Sequence, residues 1–299
     1  MDNIVIKSVL VDTISSIFNG ELVEQQVKSG KLRQDDWNDY GSDVSHFIMK
    51  LKSLGFTIVI VIGHEARGKS YGMKKLAPKS FMWFNSDNKL PTFKYNEKDP
   101  EEAATQTAFN KWYGTVNAPG ALMRVKTEAT PMTFMSMLAQ IGTIKKKVVT
   151  KTLTVELDPN PVVFLIGHVQ VEKGPEGELI NKLRLPGKVA STKYAVEGLA
   201  DLLFVAEIVT ENGKPVRRFR TQSFGYDNAR CPEGMFEDEN GNELVYIPND
   251  YQLVVDAIDS YYNFPKPQAP VQTEVQVPEQ IPAISTSPTP PTPKPQTSK

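Results

Sequence analysis

The chain has 299 residues, 40% of them hydrophobic, which is enough for one large α/β domain or two small ones. Lys and Arg number 34 against 35 Asp and Glu, a net charge of -1, so no global basic field exists and any nucleic-acid contact has to come from a local patch or from several subunits together. A single cysteine, Cys231, excludes an intramolecular disulfide and three histidines offer no zinc spacing; with no signal-peptide pattern and no apolar run of roughly 18–20 residues, a soluble cytoplasmic protein with no membrane partner is expected.

The first apolar strand, Ser8-Val-Leu-Val11, ends in Asp12. A helix is predicted from about Ser42 to Leu54, because Val44, Phe47, Ile48, Leu51 and Leu54 fall on one face. Phe56-Thr-Ile-Val-Ile-Val-Ile62 reads as a buried parallel strand. It runs into Gly63-His64-Glu65-Ala66-Arg67-Gly68-Lys69-Ser70, which fits G-x-x-x-x-G-K-[ST], the phosphate-binding P-loop. A helix is expected to open over Tyr71 to Leu76, so that strand, loop and helix N-terminus surround one point with backbone N–H groups. Phe81 to Phe84 is a further strand, followed by Asn85-Ser-Asp87. Residues 95 to 118 are polar and give no clear element. Pro131 to Ile141 looks helical, Lys147 to Leu157 has β character, and Pro161 to Ile166 is an apolar strand ending in Gly167-His168. Leu202 to Val209 and Val216 to Gln222 form a predicted hairpin around Glu211-Asn-Gly-Lys214, and Leu253 to Tyr262 a closing helix.

From about residue 264 the composition changes: ten of the 22 prolines lie there. Such a segment buries too little apolar area to offset its ordering entropy, so residues 264–299 are expected to be a disordered tail with polyproline II character. Pro288-Thr-Pro-Pro-Thr-Pro-Lys-Pro295 is either solvated linker or a docking motif for a partner. The alternation upstream predicts an α/β domain over residues 1–263, with a mainly parallel sheet and helices on both faces. Its parts are 1–55 with the Asp12 strand, 56–170 with the phosphate loop, and 171–263 with the hairpin.

The motif assigns chemistry residue by residue. Gly63 through Ser70, with Tyr71, would bind ATP; Lys69 would reach the β- and γ-phosphates and the Ser70 hydroxyl would hold Mg²⁺. A second carboxylate is needed for the metal, and Asp12 at the end of an apolar strand has that form, although it precedes the loop in sequence and could instead cap a helix. Glu156 and Asp158 are the fallback. His168, at a strand end, could sense the γ-phosphate or simply bond a loop carbonyl. Glu65 could polarise the attacking water or be a tolerant loop position, and Asn85 and Asp87 are further candidates to orient water. Two basic sets, Lys182/Arg184/Lys188 and Arg217/Arg218/Arg220/Arg230, could touch nucleic acid or be solvated surface. Cys231 has no catalytic role in this reading.

Taken together, the loop with Tyr71-Gly-Met-Lys-Lys-Leu-Ala-Pro-Lys79 and Phe84-Asn-Ser-Asp-Asn-Lys-Leu-Pro91 resembles the opening of the RecA-like ATPases of tailed phages, linked to single-strand annealing and recombination. Val163 to Val169, Leu185-Pro-Gly-Lys188, Glu197-Gly-Leu199, Phe219-Arg-Thr-Gln222, Asn228 to Phe236 and Ile247-Pro-Asn-Asp250 follow the order of that family, over about residues 56 to 262. The resemblance implies a RecA-like core, ATP and Mg²⁺ at Gly63, Gly68, Lys69 and Ser70, and His168 as sensor. It also implies single-stranded DNA as partner, a homo-oligomer and the host cytoplasm. The family carries its apolar-strand Asp after the loop half. Here that piece sits at the N-terminus, so the core is either permuted, with the Asp12 strand returning beside the loop strand, or degenerate. The rival readings are a small-molecule or nucleotide kinase and an adaptor that uses ATP without hydrolysing it.

Overall fold

An uninterrupted apolar run leaves a strand no face to give to solvent, and the run from 57 to 63 is the middle of the sheet. In the computed structural model, which describes residues 2–14, 34–77, 80–85, 98–100, 137–139, 141–142, 148–149, 153–174, 176–185 and 196–264, this run is β2 (Thr57–Gly63). Its residues from Ile58 onward are buried. β2 pairs in parallel with β5 (Leu153–Lys173) on one side and with β7 (Leu202–Glu211) on the other. Beyond β5 come β1 (Asp2–Asp12) and β3 (Phe81–Asn85), again parallel. The order β3-β1-β5-β2-β7 is thus a parallel core, and the Val162–Ile166 stretch of β5 at its centre is fully buried. Each such Val, Ile or Phe contributes about 1.5–3 kcal/mol of burial, so the strand order is held mainly by apolar surface.

The sheet then turns mixed. β8 (Lys214–Arg220) and β9 (Tyr246–Pro248) continue it antiparallel beyond β7, while β4 (Val148–Val149) and β6 (Leu179–Leu183) pair antiparallel with β5. The β7–β8 connection is the predicted Asn-Gly hairpin: Asn212 and Gly213 have φ of 50° and 74°, as a two-residue turn between twisted strands requires.

Two long α-helices accompany the sheet among the described residues, and residues 137–139 and 141–142 are helical as well. α1 (Gln34–Ser53) buries Val44, Phe47, Ile48 and Leu51 and stops in a Schellman arrangement: Gly55 N–H donates to the Lys52 carbonyl and Phe56 N–H to that of Leu51. α2 (Tyr251–Tyr261) starts at Asp250, whose carboxylate accepts from the amides of Gln252 and Leu253.

Three expectations change. Among the described residues the sheet is mixed and helices are sparse, because β8 and β9 follow β7 as antiparallel strands where a doubly covered sheet would have crossovers. The Asp12 strand does not lie beside the loop strand; β5 runs between them. His168 is not the end of its strand, since β5 continues to Lys173 by exchanging its parallel partner β2, last paired at His168, for the antiparallel β6, first paired at Val169. Residues up to Phe264 form one compact unit. The tail, Asp87, Lys188 and nearly all of 95–135 lie outside the described residues. Among the described residues no helix is long and apolar enough to cross a membrane.

Candidate functional site

The C-terminal ends of β1 and β2, with the point at which β5 leaves β2, bring Asp12, the loop from Gly63 and His168 to one edge of the parallel core, because Asp12 is level with Ile166 and Gly63 with His168. The loop turns through Ala66 at φ 58° and Gly68 at φ 76°. Among the described residues the amides of Glu65, Ala66 and Gly68 enter no backbone hydrogen bond, that of Arg67 belongs to the turn over residues 65–66, and Tyr71 N–H closes the following turn, onto the Gly68 carbonyl at 2.8 Å. Loop amides of this kind form an anion-binding concavity.

The segment after the loop differs from the expected α-helix. Lys69–Lys75 is a 3-10 helix of seven residues, ending as Leu76 adopts an extended backbone at ψ 136°. The sequence explains the shortness: Gly72 is a poor helix former, and Pro78 drives the residue before it out of the α region. The loop amides and Lys69, rather than a long helix dipole, therefore provide the positive potential here.

Lys69 is 8% exposed. Its ammonium donates to the carbonyls of Gly63 and His64, each at 2.9 Å, and lies 3.4 Å from His168 Nδ1. The Ser70 hydroxyl donates to Asp12 Oδ2 at 2.6 Å, although the two residues are 58 positions apart and β5 lies between their strands. The Thr13 hydroxyl is 3.4 Å from the other Asp12 oxygen. A serine hydroxyl beside a carboxylate is a hard oxygen pair of the kind Mg²⁺ selects, so these two side chains fit such an ion. His64, Glu65, Arg67, His168, Val169 and Arg184 line an adjoining open cleft of about 520 Å³, within the range of small-ligand sites. The loop keeps its turn, with the ammonium on its inner side and this cleft beside it.

The fallback carboxylates are not at this edge. Asp158 sits at the far end of β5, roughly 30 Å from His168 at about 3.3 Å per residue, and is engaged with Lys7 at 3.2 Å; Glu156 is two residues farther still. Asn85 is paired by its backbone with Asp12 at the sheet edge. The basic sets are largely committed to structure. Lys182 pairs with Glu172 at 3.1 Å. Arg220 is buried against Asp227 and reaches Glu207 at 2.9 Å. Arg218 also meets Glu207, and Arg230 donates to the carbonyls of Glu197 and Ala200. Burial alone would lower the Arg220 pKa; the hydrogen bonds and charges of Asp227 and Glu207 outweigh it and hold the group above its ordinary value.

Sequence reasoning missed a brace behind the loop. Tyr251 OH donates to the Lys69 carbonyl at 2.7 Å and Asn249 Nδ2 to the Gly68 carbonyl at 3.0 Å. The Tyr251 ring packs edge-on to Phe164 and Phe219, and burial, with the Asp12 charge, pushes its pKa well above the usual tyrosine value. The phenol thus stays a donor. Gly72 is needed for this contact, because a Cβ there would stand 2.8 Å from the Asn249 carbonyl oxygen. Only the helix-start signal at Asp250 was visible locally, and it says nothing about a loop 182 residues away.

Burial, reinforced by Glu243, pushes the Cys231 thiol up to about 11, against the opposing hydrogen bond from Thr221. At pH 8 it should react with a disulfide reagent about a hundredfold more slowly than in the unfolded chain, since each pKa unit costs about tenfold in thiolate. Release of the coloured thiol at equal rates in the two states would contradict this. Comparison of the chain with protein-family models, curated proteins and solved structures finds no match.

Proposed function

We propose that the chain is a RecA-like P-loop ATPase that binds ATP with Mg²⁺ over Gly63–Ser70 and hydrolyses it, acting with single-stranded DNA in phage recombination, repair or replication. The observation that carries the nucleotide part is the 2.6 Å bond from Ser70 to Asp12. A loop that matched the motif by chance would have no reason to aim its hydroxyl at a carboxylate on a strand two positions away in the sheet. It also favours a complete Ser70–Asp12 pair over a degenerate site, reached with β5 between the Asp12 strand and the loop strand. The DNA and oligomer parts rest on the resemblance and on the near-neutral charge, which leaves DNA contact to an assembly.

In this reading Lys69 exchanges two neutral carbonyls for phosphate oxygens, a stronger charge-assisted partnership. The amides of Glu65, Ala66 and Gly68 hold the phosphate chain. Ser70 and Asp12 would hold Mg²⁺, which when bound offsets the negative charge that develops on the phosphate oxygens. His168, already beside Lys69, orients the group that faces the γ-phosphate, and Glu65 at the mouth of the cleft holds the attacking water. Against the kinase reading, three of the four arginines of the 217–230 set, Arg218, Arg220 and Arg230, are tied to Glu207, Asp227, Glu197 and Ala200 and are not available to a lid.

Calorimetric titration with ATP, with and without Mg²⁺, tests the proposal. Saturable binding strengthened by Mg²⁺ is expected; no saturable binding at millimolar ATP ends it. Asp12→Asn preserves the size and an acceptor for Ser70 but removes the charge. It should raise the Mg²⁺ concentration needed for phosphate release by about 10–100-fold. An unchanged Mg²⁺ requirement would remove Asp12 from the site. Phosphate release stimulated by single-stranded DNA, and not by small acceptors, is the expected separation from a kinase.

A further inference from the structure

Arg217 stands apart from its neighbours on β8. Alternation along the strand sends Arg218 and Arg220 to one face, where both meet Glu207, and Arg217 to the other. There its guanidinium carbon lies 4.4 Å from the centre of the Tyr71 ring. Its Cδ and Nε come within 2.9 and 3.2 Å of where a Cβ on Gly68 would be. Among the described residues it has no carboxylate partner and donates no hydrogen bond, while it is only half-buried. Glycine at position 68 thus does two things: it accepts φ 76°, and it lets an arginine from a strand 149 residues later lie against the phosphate loop.

A guanidinium held over an aromatic ring keeps its planar fork of donors in place, and such a fork matches phosphate oxygens in pairs. A cation without a carboxylate partner at the Gly68 end of a phosphate-loop motif is placed where an anion would complete its charge. We propose that Arg217 contacts the phosphate chain of the bound nucleotide, as a charge supplied by the same subunit, with Tyr71 as the platform that aims it. This rests on the nucleotide reading above but adds a residue that the loop motif does not contain. The ring also explains why the side chain does not wander: it holds the guanidinium in place while leaving the N–H edges available.

The experiment measures dissociation constants of the full chain, its Arg217→Ala and Arg217→Lys variants and Lys69→Ala, for ATP, ADP, adenosine and inorganic tripolyphosphate. Melting temperatures are taken in parallel. Arg217→Ala should weaken ATP, ADP and tripolyphosphate by about 10–100-fold, the value of a hydrogen bond to a charged group, and leave adenosine within twofold. Arg217→Lys should recover part of the loss, keeping the charge without the fork. A second measurement needs no variant: labelling of Arg217 in the parent chain by phenylglyoxal, read by peptide mass spectrometry, should fall when ATP is added. If the parent binds ATP and Lys69→Ala does not, yet Arg217→Ala binds like the parent or labelling ignores ATP, the inference is overturned and the nucleotide reading stands. If the parent binds neither ATP nor tripolyphosphate, both fall.

Discussion

Replacing Lys69 by alanine should weaken ATP binding about a hundredfold or more and reduce phosphate release by roughly 10²–10³. The first figure follows from losing charge-assisted bonds to two phosphate groups, at about 1.5–3 kcal/mol each; the second is the usual effect of removing one preorganised donor from a developing charge. The change leaves the brace behind the loop in place. Lys69 is held to the brace by its backbone carbonyl, which Tyr251 grips and alanine retains. Of the two carbonyls released by the ammonium, that of His64 belongs to an exposed residue and can be taken up by water, while that of Gly63 is buried and costs about 1–3 kcal/mol if left unpaired. A melting temperature modestly below that of the parent is therefore expected alongside the lost affinity. ATP affinity and turnover like those of the parent would refute the assignment of the loop.

The largest effect on stability is expected at Arg220. Its side chain is 1% exposed and faces Asp227, itself fully buried, with further bonds to Glu207 and the Gln222 carbonyl. Arg220→Ala strands the Asp227 carboxylate without its counter-charge in the interior. Breaking a buried pair from one side costs about 3–5 kcal/mol, or roughly 6–20 °C for a domain of this size at about 2–4 °C per kcal/mol. The paired change Arg220→Met with Asp227→Leu should recover much of that loss, because it leaves no buried charge behind. Urea unfolding of the three proteins reads both quantities. A loss under about 1 kcal/mol for Arg220→Ala would mean that the pair is not buried as described. The same variants also ask whether the arginines of β8 divide their labour: Arg220 is structural here, so its loss should change stability well before it changes nucleotide affinity.

What could be read from sequence was what is local. The loop motif, the apolar runs around it, the Asn-Gly hairpin and the stripe from Val44 to Leu54 each announce themselves within a dozen residues, and each is present. Asp12 is recognisable as a strand-end acid and it meets Ser70, but the expected adjacency of their segments in the sheet fails, because β5 is interposed. The helix expected over Tyr71 to Leu76 is a 3-10 turn, because the context of the loop motif predicts a helix there while Gly72 and Pro78 limit its length. The length of β5 was missed for a different reason. Nothing in Gly167-His168 says that a strand leaving one partner will be taken up by another, Leu179–Leu183, on its other side. Arg217 was visible only as one of four arginines; the alternation that separates it from Arg218 and Arg220 was legible, but the ring and glycine waiting for it were not.

The hydrogen bonds of Asn249 and Tyr251 to the carbonyls of Gly68 and Lys69 fasten the start of α2 to the end of the Gly63–Ser70 loop. Any event that tugs on α2, whether a docking protein or a neighbouring copy, is delivered to the loop without passing through the sheet. A chain cut just before residue 249 would keep every letter of the phosphate motif and lose the backing that holds it in shape.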